Sequence, residues 1–238
     1  MPRIKPLNYS TQLLSFNGKM AKTFEARGIA IAGLELWSGK YRGHVLCDRA
    51  LKLKLECLKY CLKTTGNGRF KNVRDARKSR VQLMLSNPGL FYLHLDSDIK
   101  GLQATADTMG IDLAIRLNVF SDKAWRGVID EHPTTRFYDY TKEPTRFNSF
   151  LRGELPANYD LTYSASEGDT DRTLKRYLDR GGKVAFIYDG DIPETYLGRV
   201  PIDGDKDDAR WLNPPGSVIA LNAKGDARGS EGLLSIIQ

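Results

Sequence analysis

Histidine and cysteine are both scarce in this chain, at three of each among 238 residues. With only His44, His94 and His132 to draw on, chemistry built on histidine is poorly supplied. An odd number of cysteines does not make a closed disulfide framework. The opening Met1-Pro-Arg-Ile-Lys-Pro6 is followed by no apolar signal region. Together these predict a protein of a reducing cytosol. No run of eighteen apolar residues occurs, so no membrane span is expected. A P-loop, a dinucleotide-binding glycine fingerprint, Gly-x-Ser-x-Gly and His-Glu-x-x-His are all missing, which removes the common phosphate, nucleotide, serine-hydrolase and zinc-peptidase signatures. Linkers, low-complexity tracts and repeats longer than a βα unit are missing too, so one domain is expected.

What the chain does have is positive charge and enough apolar residues for a core. Thirty-six Lys and Arg face twenty-nine Asp and Glu, a formal charge of +7, and 41% of residues are hydrophobic. A pI near 9.2 points to a polyanionic partner.

All three cysteines fall within fifteen residues, as Cys47-x9-Cys57-x3-Cys61, with His44 three residues ahead. Leu51, Leu55, Leu58 and Leu62 recur at helical spacing around them. A helix here would put Cys57 and Cys61 on one face, one turn apart, with Cys47 arriving from the preceding loop. Three converging thiolates can hold a metal or a cluster. The alternative is that they are small buried hydrophobes.

Residues 1–27 read as an arm or leading strand, and Gly28–Trp37 as the first buried strand. A helical, cysteine-bearing insertion spans residues 44–110. It includes a loop at Thr64–Arg69, a basic helix from Asn72 to Ser86 with Val73, Ala76, Val81 and Leu85 inward, and a helix from Pro88 to a stop at Gly110. Short apolar runs then alternate with amphipathic ones. Strands are expected at Asp112–Asn118, Thr135–Tyr140, Leu161–Ala165, Lys183–Tyr188 and Val218–Leu221. Helices are expected at Lys123–Glu131, Glu143–Leu151 and Thr170–Arg180. That rhythm implies βαβ units and a mainly parallel α/β sheet. Six strands are too few for a complete eightfold barrel, so a partial, six-strand, TIM-like β/α barrel is the first expectation and an open doubly wound sheet the second.

In such folds the functional groups stand at the carboxyl ends of the strands. Those ends carry Asn118, Ser121 and Asp122; Asp139, Tyr140 and Lys142; Ser164, Ser166 and Glu167; Tyr188 and Asp189; and Asn222 and Lys224. Asp122, Asp139, Glu167 and Lys224 are the candidate catalytic groups. Asn118, Tyr140, Ser164 and Ser166 are the candidates for binding a cofactor. Helix capping is the competing role for Asp122 and Glu167. The loop Asp203–Arg210 opens like a calcium loop, but Pro214 stands where an EF-hand needs Glu. It reads as a solvated acidic loop, or one that bonds a ligand's hydroxyls.

Arg69, Lys71, Arg74, Arg77, Lys78 and Arg80 place six cations in twelve residues, with Phe70 among them. They form either a solvated face or a track for phosphates. On a helix, Arg74, Arg77 and Lys78 would share a face.

The cysteine cluster occurs together with Arg116-Leu-Asn-Val-Phe-Ser-Asp122, Phe137-Tyr-Asp-Tyr-Thr-Lys142, Leu161-Thr-Tyr-Ser-Ala-Ser-Glu167, Ile202-Asp-Gly-Asp205 and Ala223-Lys-Gly225. This set resembles a family of uncharacterised phage-encoded proteins over roughly residues 28 to 228. The resemblance implies a phage origin, and with it a place in the host-cell cytoplasm. The architecture also resembles the radical S-adenosylmethionine enzymes, in which three cysteines after the first strand hold an iron–sulfur cluster. That likeness implies Cys47, Cys57 and Cys61 as cluster ligands, although the family spacing is Cys-x3-Cys-x2-Cys. A weaker resemblance is to the tRNA-guanine transglycosylases and their phage DNA-modifying relatives. It implies zinc on His44 and the three cysteines, with Asp122 or Asp139 as nucleophile, though the ligand order differs.

Three expectations follow. The first is a cysteine-ligated metalloenzyme acting on nucleic acid by radical S-adenosylmethionine-like chemistry. The second is a zinc-stapled base-modifying enzyme. The third is a non-enzymatic basic protein that binds nucleic acid or a host protein.

Overall fold

The structure, a computed structural model, describes residues 12–61 and 66–229. Most of the expected arm's first half, and Thr64 and Thr65 of the expected loop, lie outside the described residues.

One mixed α/β layer system organises the chain. Its sheet has eight strands: β1 (Leu14–Ser15), β2 (Ala30–Leu34), β5 (Leu113–Arg116), β6 (Arg136–Thr141), β7 (Tyr159–Ser164), β8 (Lys183–Tyr188), β9 (Ile202–Asp203) and β10 (Val218–Asn222). They lie in the order β1-β2-β5-β6-β7-β8-β10-β9. Every neighbouring pair is parallel except β1 with β2. Six strands from β2 to β10 therefore follow one another in sequence order, with β1 and β9 as the two open edges. Among the described residues the sheet does not close. A separate hairpin, β3 (Lys40–Tyr41) and β4 (His44–Val45), precedes the cysteines.

Side-chain alternation divides the sheet's two faces. Leu113, Ile115, Phe137, Leu161, Val184, Phe186 and Val218 point to one face. There they meet α3 (Lys71–Ser86), α4 (Pro88–Met109), α5 (Arg126–Asp130), α6 (Pro144–Leu151) and α7 (Asp171–Asp179) through residues such as Val81, Phe91, Ile129, Phe147 and Leu174. The sheet is open, as the second expectation has it, but its parallel strands run in sequence order without the reversal of a doubly wound sheet, and five of the helices lie on this one face. The other face carries Ile31, Ala114 and Tyr138. It is covered by Met20 of α1 (Gly18–Arg27) and by Ala209 and Trp211 of the loop before β10. The close approach explains Gly33: a Cβ there would run into the Met20 methyl.

The expected arm is thus β1 followed by a capped helix. Asn17 Oδ1 accepts from the Lys19 and Met20 N–H groups, and Gly28 closes α1 with φ 69°. The arm's sparse apolar residues hid this helix. The helix α4 begins and ends where its caps sit. Asn87 accepts from the Leu90 N–H, Pro88 fills the first turn, and Gly110 takes the left-handed stop at φ 63°.

The cysteine helix is corrected. Only Asp48–Lys52 (α2) is helical; a 3-10 turn at Glu56–Leu58 follows, and Cys61 lies beyond it. The break is a Schellman motif: Leu55 N–H donates to Ala50 C=O at 2.9 Å and Lys54 N–H to Leu51 C=O at 3.3 Å. Lys54 takes the left-handed position, φ 53°, that glycine usually fills. The apolar periodicity runs through this break and conceals it.

Candidate functional site

The segment Leu46–Cys61 arches over the carboxyl ends of the strands and is tied down at several points. Asp122 N–H donates to Leu46 C=O at 2.8 Å. Arg49 N–H donates to Glu143 at 2.8 Å, and the Arg49 guanidinium reaches Asp169 at 2.9 Å. The Glu56 N–H donates to Glu167. The ties join the ends of β5, β6 and β7 to one arch.

The three cysteines are part of this arch. Cys47 Sγ accepts from the Gly39 N–H at 3.3 Å and faces the Phe120 carbonyl at 3.7 Å. Cys61 Sγ donates to Ser38 Oγ at 3.2 Å. Cys57 packs with Leu55 and Cys47 on one side and with Ala223, Ala227 and Ile187 on the other. Burial pushes the Cys47 thiol up to about 12, against the Gly39 N–H, with the charges of Asp122, Cys61 and Cys57 adding to the rise. Burial also raises Cys57; the Lys142 ammonium opposes it, while Cys61, Glu167 and Asp122 reinforce it. The cysteines therefore share one electrostatic environment, although the expected helix is not what brings them together.

A mononuclear tetrahedral site, with metal–sulfur bonds of about 2.3 Å, draws its ligand atoms to within roughly 4 Å of one another. Among the described residues, the three sulfurs, with or without His44, form no group whose ligand atoms all lie within 4.8 Å. His44 is exposed on the hairpin, paired with Tyr41. A cluster distributes its thiolates over separate irons and asks for a wider set.

The other expected residues take varied places. Asp122 accepts from Thr141 Oγ1 at 2.9 Å, Lys142 N–H at 2.8 Å and Arg146 at 2.8 Å, bracing β5 against β6 and α6. Lys142 Nζ donates to Ser164 Oγ at 3.0 Å and to the Ser164 and Ala165 carbonyls, so its charge stands beside Cys57 with neutral oxygens as hydrogen-bond partners. Glu167 is exposed, and Lys224 pairs with Asp205 at 2.7 Å. Ser166 donates to Asp169 at 2.8 Å and opens the turn into α7.

Asp139 and Asn118 serve the helix layer. Asp139 shares a face with Phe137 and accepts from the Asn118 N–H at 2.7 Å, Asn118 Nδ2 at 3.1 Å and Tyr159 OH at 3.1 Å. Asn118 Oδ1 accepts from Ser121, the Lys123 N–H and Trp125 Nε1, which fastens the turn after β5. Burial pushes the Asp139 carboxyl up to about 7, in spite of those donors and the Arg116 and Arg146 charges.

Sequence reasoning missed a charged group on the opposite face of the sheet. Asp208, 1% exposed, meets Lys19 at 3.0 Å, Tyr138 OH at 2.7 Å, Arg116 at 3.1 Å and Tyr140 OH at 3.2 Å. Those positive charges hold its carboxyl well below the usual range even though burial opposes them. Tyr140 thus belongs here, under the Arg116 guanidinium at 4.6 Å. The acidic loop expected to be solvated is the source of Asp208. Nothing in its composition signals that α1 supplies Lys19.

The basic segment divides in two. Arg77 is 3% exposed, ion-paired with Glu35 at 2.8 Å and stacked on Phe120 at 4.0 Å. It occupies the inner stripe with Val81 and Met84, where Ala76 was expected. Arg74 donates to the Gly68 and Arg69 carbonyls, and Arg80 approaches the Glu35 carbonyl at 3.5 Å. Arg69, Phe70 and Lys71 are exposed, and Lys78 rides over Trp37 at 4.8 Å. The contacts of Arg77 and Lys78 set α3 beside the cysteines, since Phe120 faces Cys47 and Trp37 adjoins Ser38.

No helix among the described residues is long and apolar enough to cross a membrane. No curated protein and no solved structure matches the chain. A family model does, along residues 12–234, nearly the whole length. The chain belongs to the Gene product 88 family of phage proteins.

Proposed function

We propose that this phage protein is an iron–sulfur enzyme acting on nucleic acid, with Cys47, Cys57 and Cys61 as the cluster ligands. The observation that carries the reading is that all three cysteines lie in one braced arch at the carboxyl ends of six sequentially ordered parallel strands. That is where βα folds, including partial barrels, place their chemistry. The donor set suits the group: three free thiols on one segment, with a backbone N–H donating to one sulfur. Hydrogen bonds to the sulfurs are among the features that tune such clusters. Bound with S-adenosylmethionine, a cluster of this kind supplies radical chemistry.

The chain's own groups divide the remaining work. Lys142 holds a positive charge next to Cys57, suited to an anionic cofactor or cluster. Asp122, through Thr141 and Arg146, keeps the strand ends in register under the arch. Arg69 over the exposed Phe70, Lys71 beside Asp75 and Lys78 over Trp37 offer charge to a polynucleotide.

The test is metal analysis of protein purified without oxygen and reconstituted with iron and sulfide. Iron and acid-labile sulfide are expected in the wild type and in His44→Ala, and lost in the triple change of Cys47, Cys57 and Cys61 to Ala. One zinc ion that depends on His44 would replace this reading with the zinc one. Metal-free protein that still binds nucleic acid would leave only the binding role.

A further inference from the structure

We propose that Asp96, Glu131 and His132 form a divalent transition-metal site that staples α4 to the end of α5, apart from the cysteines. One ligand atom from each residue lies within 4.8 Å of the other two. Asp96 projects from the middle of α4, while Glu131 and His132 follow α5 directly. One imidazole and two carboxylates make an N,O donor set suited to Mn²⁺, Fe²⁺ or Zn²⁺.

The second observation is the state of His132. It is 6% exposed, and its Nε2 is buried with no hydrogen bond. That nitrogen lies 3.3 Å from Asp96 Oδ1 without hydrogen-bond alignment. The neighbouring backbone holds the residue in place: His132 N–H donates to Ile129 C=O, and its own C=O accepts from Asn158 and the Thr135 N–H. Lys100 takes the other Asp96 oxygen at 2.9 Å, leaving Oδ1 for the ion. A buried nitrogen without a hydrogen bond, 3.3 Å from a carboxylate oxygen, is costly when empty and satisfied when a cation sits between the two.

Mn²⁺ is the probe, because a hard ion favours carboxylate and imidazole over thiolate and so reports on this site independently of the cysteines. Titrating the full chain with Mn²⁺ and following the free ion by EPR should show one bound equivalent. Glu131→Gln should weaken it at least tenfold, and because Glu131 is exposed the metal-free melting temperature should stay unchanged. Asp96→Asn should weaken binding likewise. Saturating Mn²⁺ should raise the wild-type melting temperature by roughly 5 °C and leave the Glu131→Gln protein where it was. Absence of a bound equivalent, or binding that both variants retain, would overturn the site.

Discussion

Replacing Asp139 with Asn isolates a pH dependence that is written into the core. The carboxyl is 1% exposed and its pKa is pushed from 3.8 up to about 7, chiefly by burial. The unfolded chain ionises this group near pH 4, whereas the folded chain keeps its proton until near neutrality. Between those values the unfolded state binds fewer protons than the native state, so stability falls as pH rises. About three units, at about 1.4 kcal/mol each, give a loss of about 4 kcal/mol from pH 4 to pH 8. The Asn variant has no proton to lose. Its amide disturbs the contacts with Asn118 and Tyr159 by an amount that does not vary with pH, so the readout is the slope and not the offset. Urea unfolding of both proteins from pH 4 to 8 should show the wild type losing about 4 kcal/mol relative to Asp139→Asn. A flat difference would refute the reasoning. It would mean that the three donors from Asn118 and Tyr159 hold the carboxylate ionised in the folded state.

Three further outcomes are expected. Lys54→Gly removes a left-handed lysine from the turn between Ala50 and Leu55 and should stabilise the chain by about 0.5–1 kcal/mol in urea titration, with metal content unchanged. Arg77→Ala leaves Glu35 buried without its ion pair and should cost roughly 3–5 kcal/mol of unfolding free energy, so its loss of nucleic-acid binding would report unfolding and not a lost phosphate contact. Changing Arg69, Lys71 and Lys78 together to Ala should leave the fold intact and flatten the salt dependence of duplex binding by about two to three in the log–log slope; an unchanged slope would make the segment a solvated face.

Local signals carried much of the fold. Asn87, Pro88 and Gly110 mark the ends of α4 because capping is decided by residues within a turn of each other. The apolar run Lys183–Tyr188 coincides with β8, because a strand buried on both faces needs no partner to be recognised. The cysteine segment failed at the same level: its leucines keep helical spacing while Lys54 turns left-handed and Glu167, Asp169 and Glu143 pull the chain onto the strand ends. Candidate residues at the strand ends could be named, but not the face each one serves. Tyr138, Asp139 and Tyr140 are consecutive, yet Asp139 turns to the helices while both tyrosines turn to Asp208. Asp208 itself was invisible because its partners come from α1, β5 and β6. Arg77 read as a surface cation, and its partners Glu35, 42 positions away, and Phe120 make it a core residue.

The most direct measurement of the central claim is the EPR spectrum of the anaerobically reconstituted, chemically reduced protein, recorded with and without S-adenosylmethionine. Ligation by three cysteines alone leaves one iron of a four-iron cluster open. The account therefore predicts a cluster signal that S-adenosylmethionine alters and that Cys57→Ala abolishes. A protein that takes up no iron, or whose signal survives in Cys57→Ala, would contradict it.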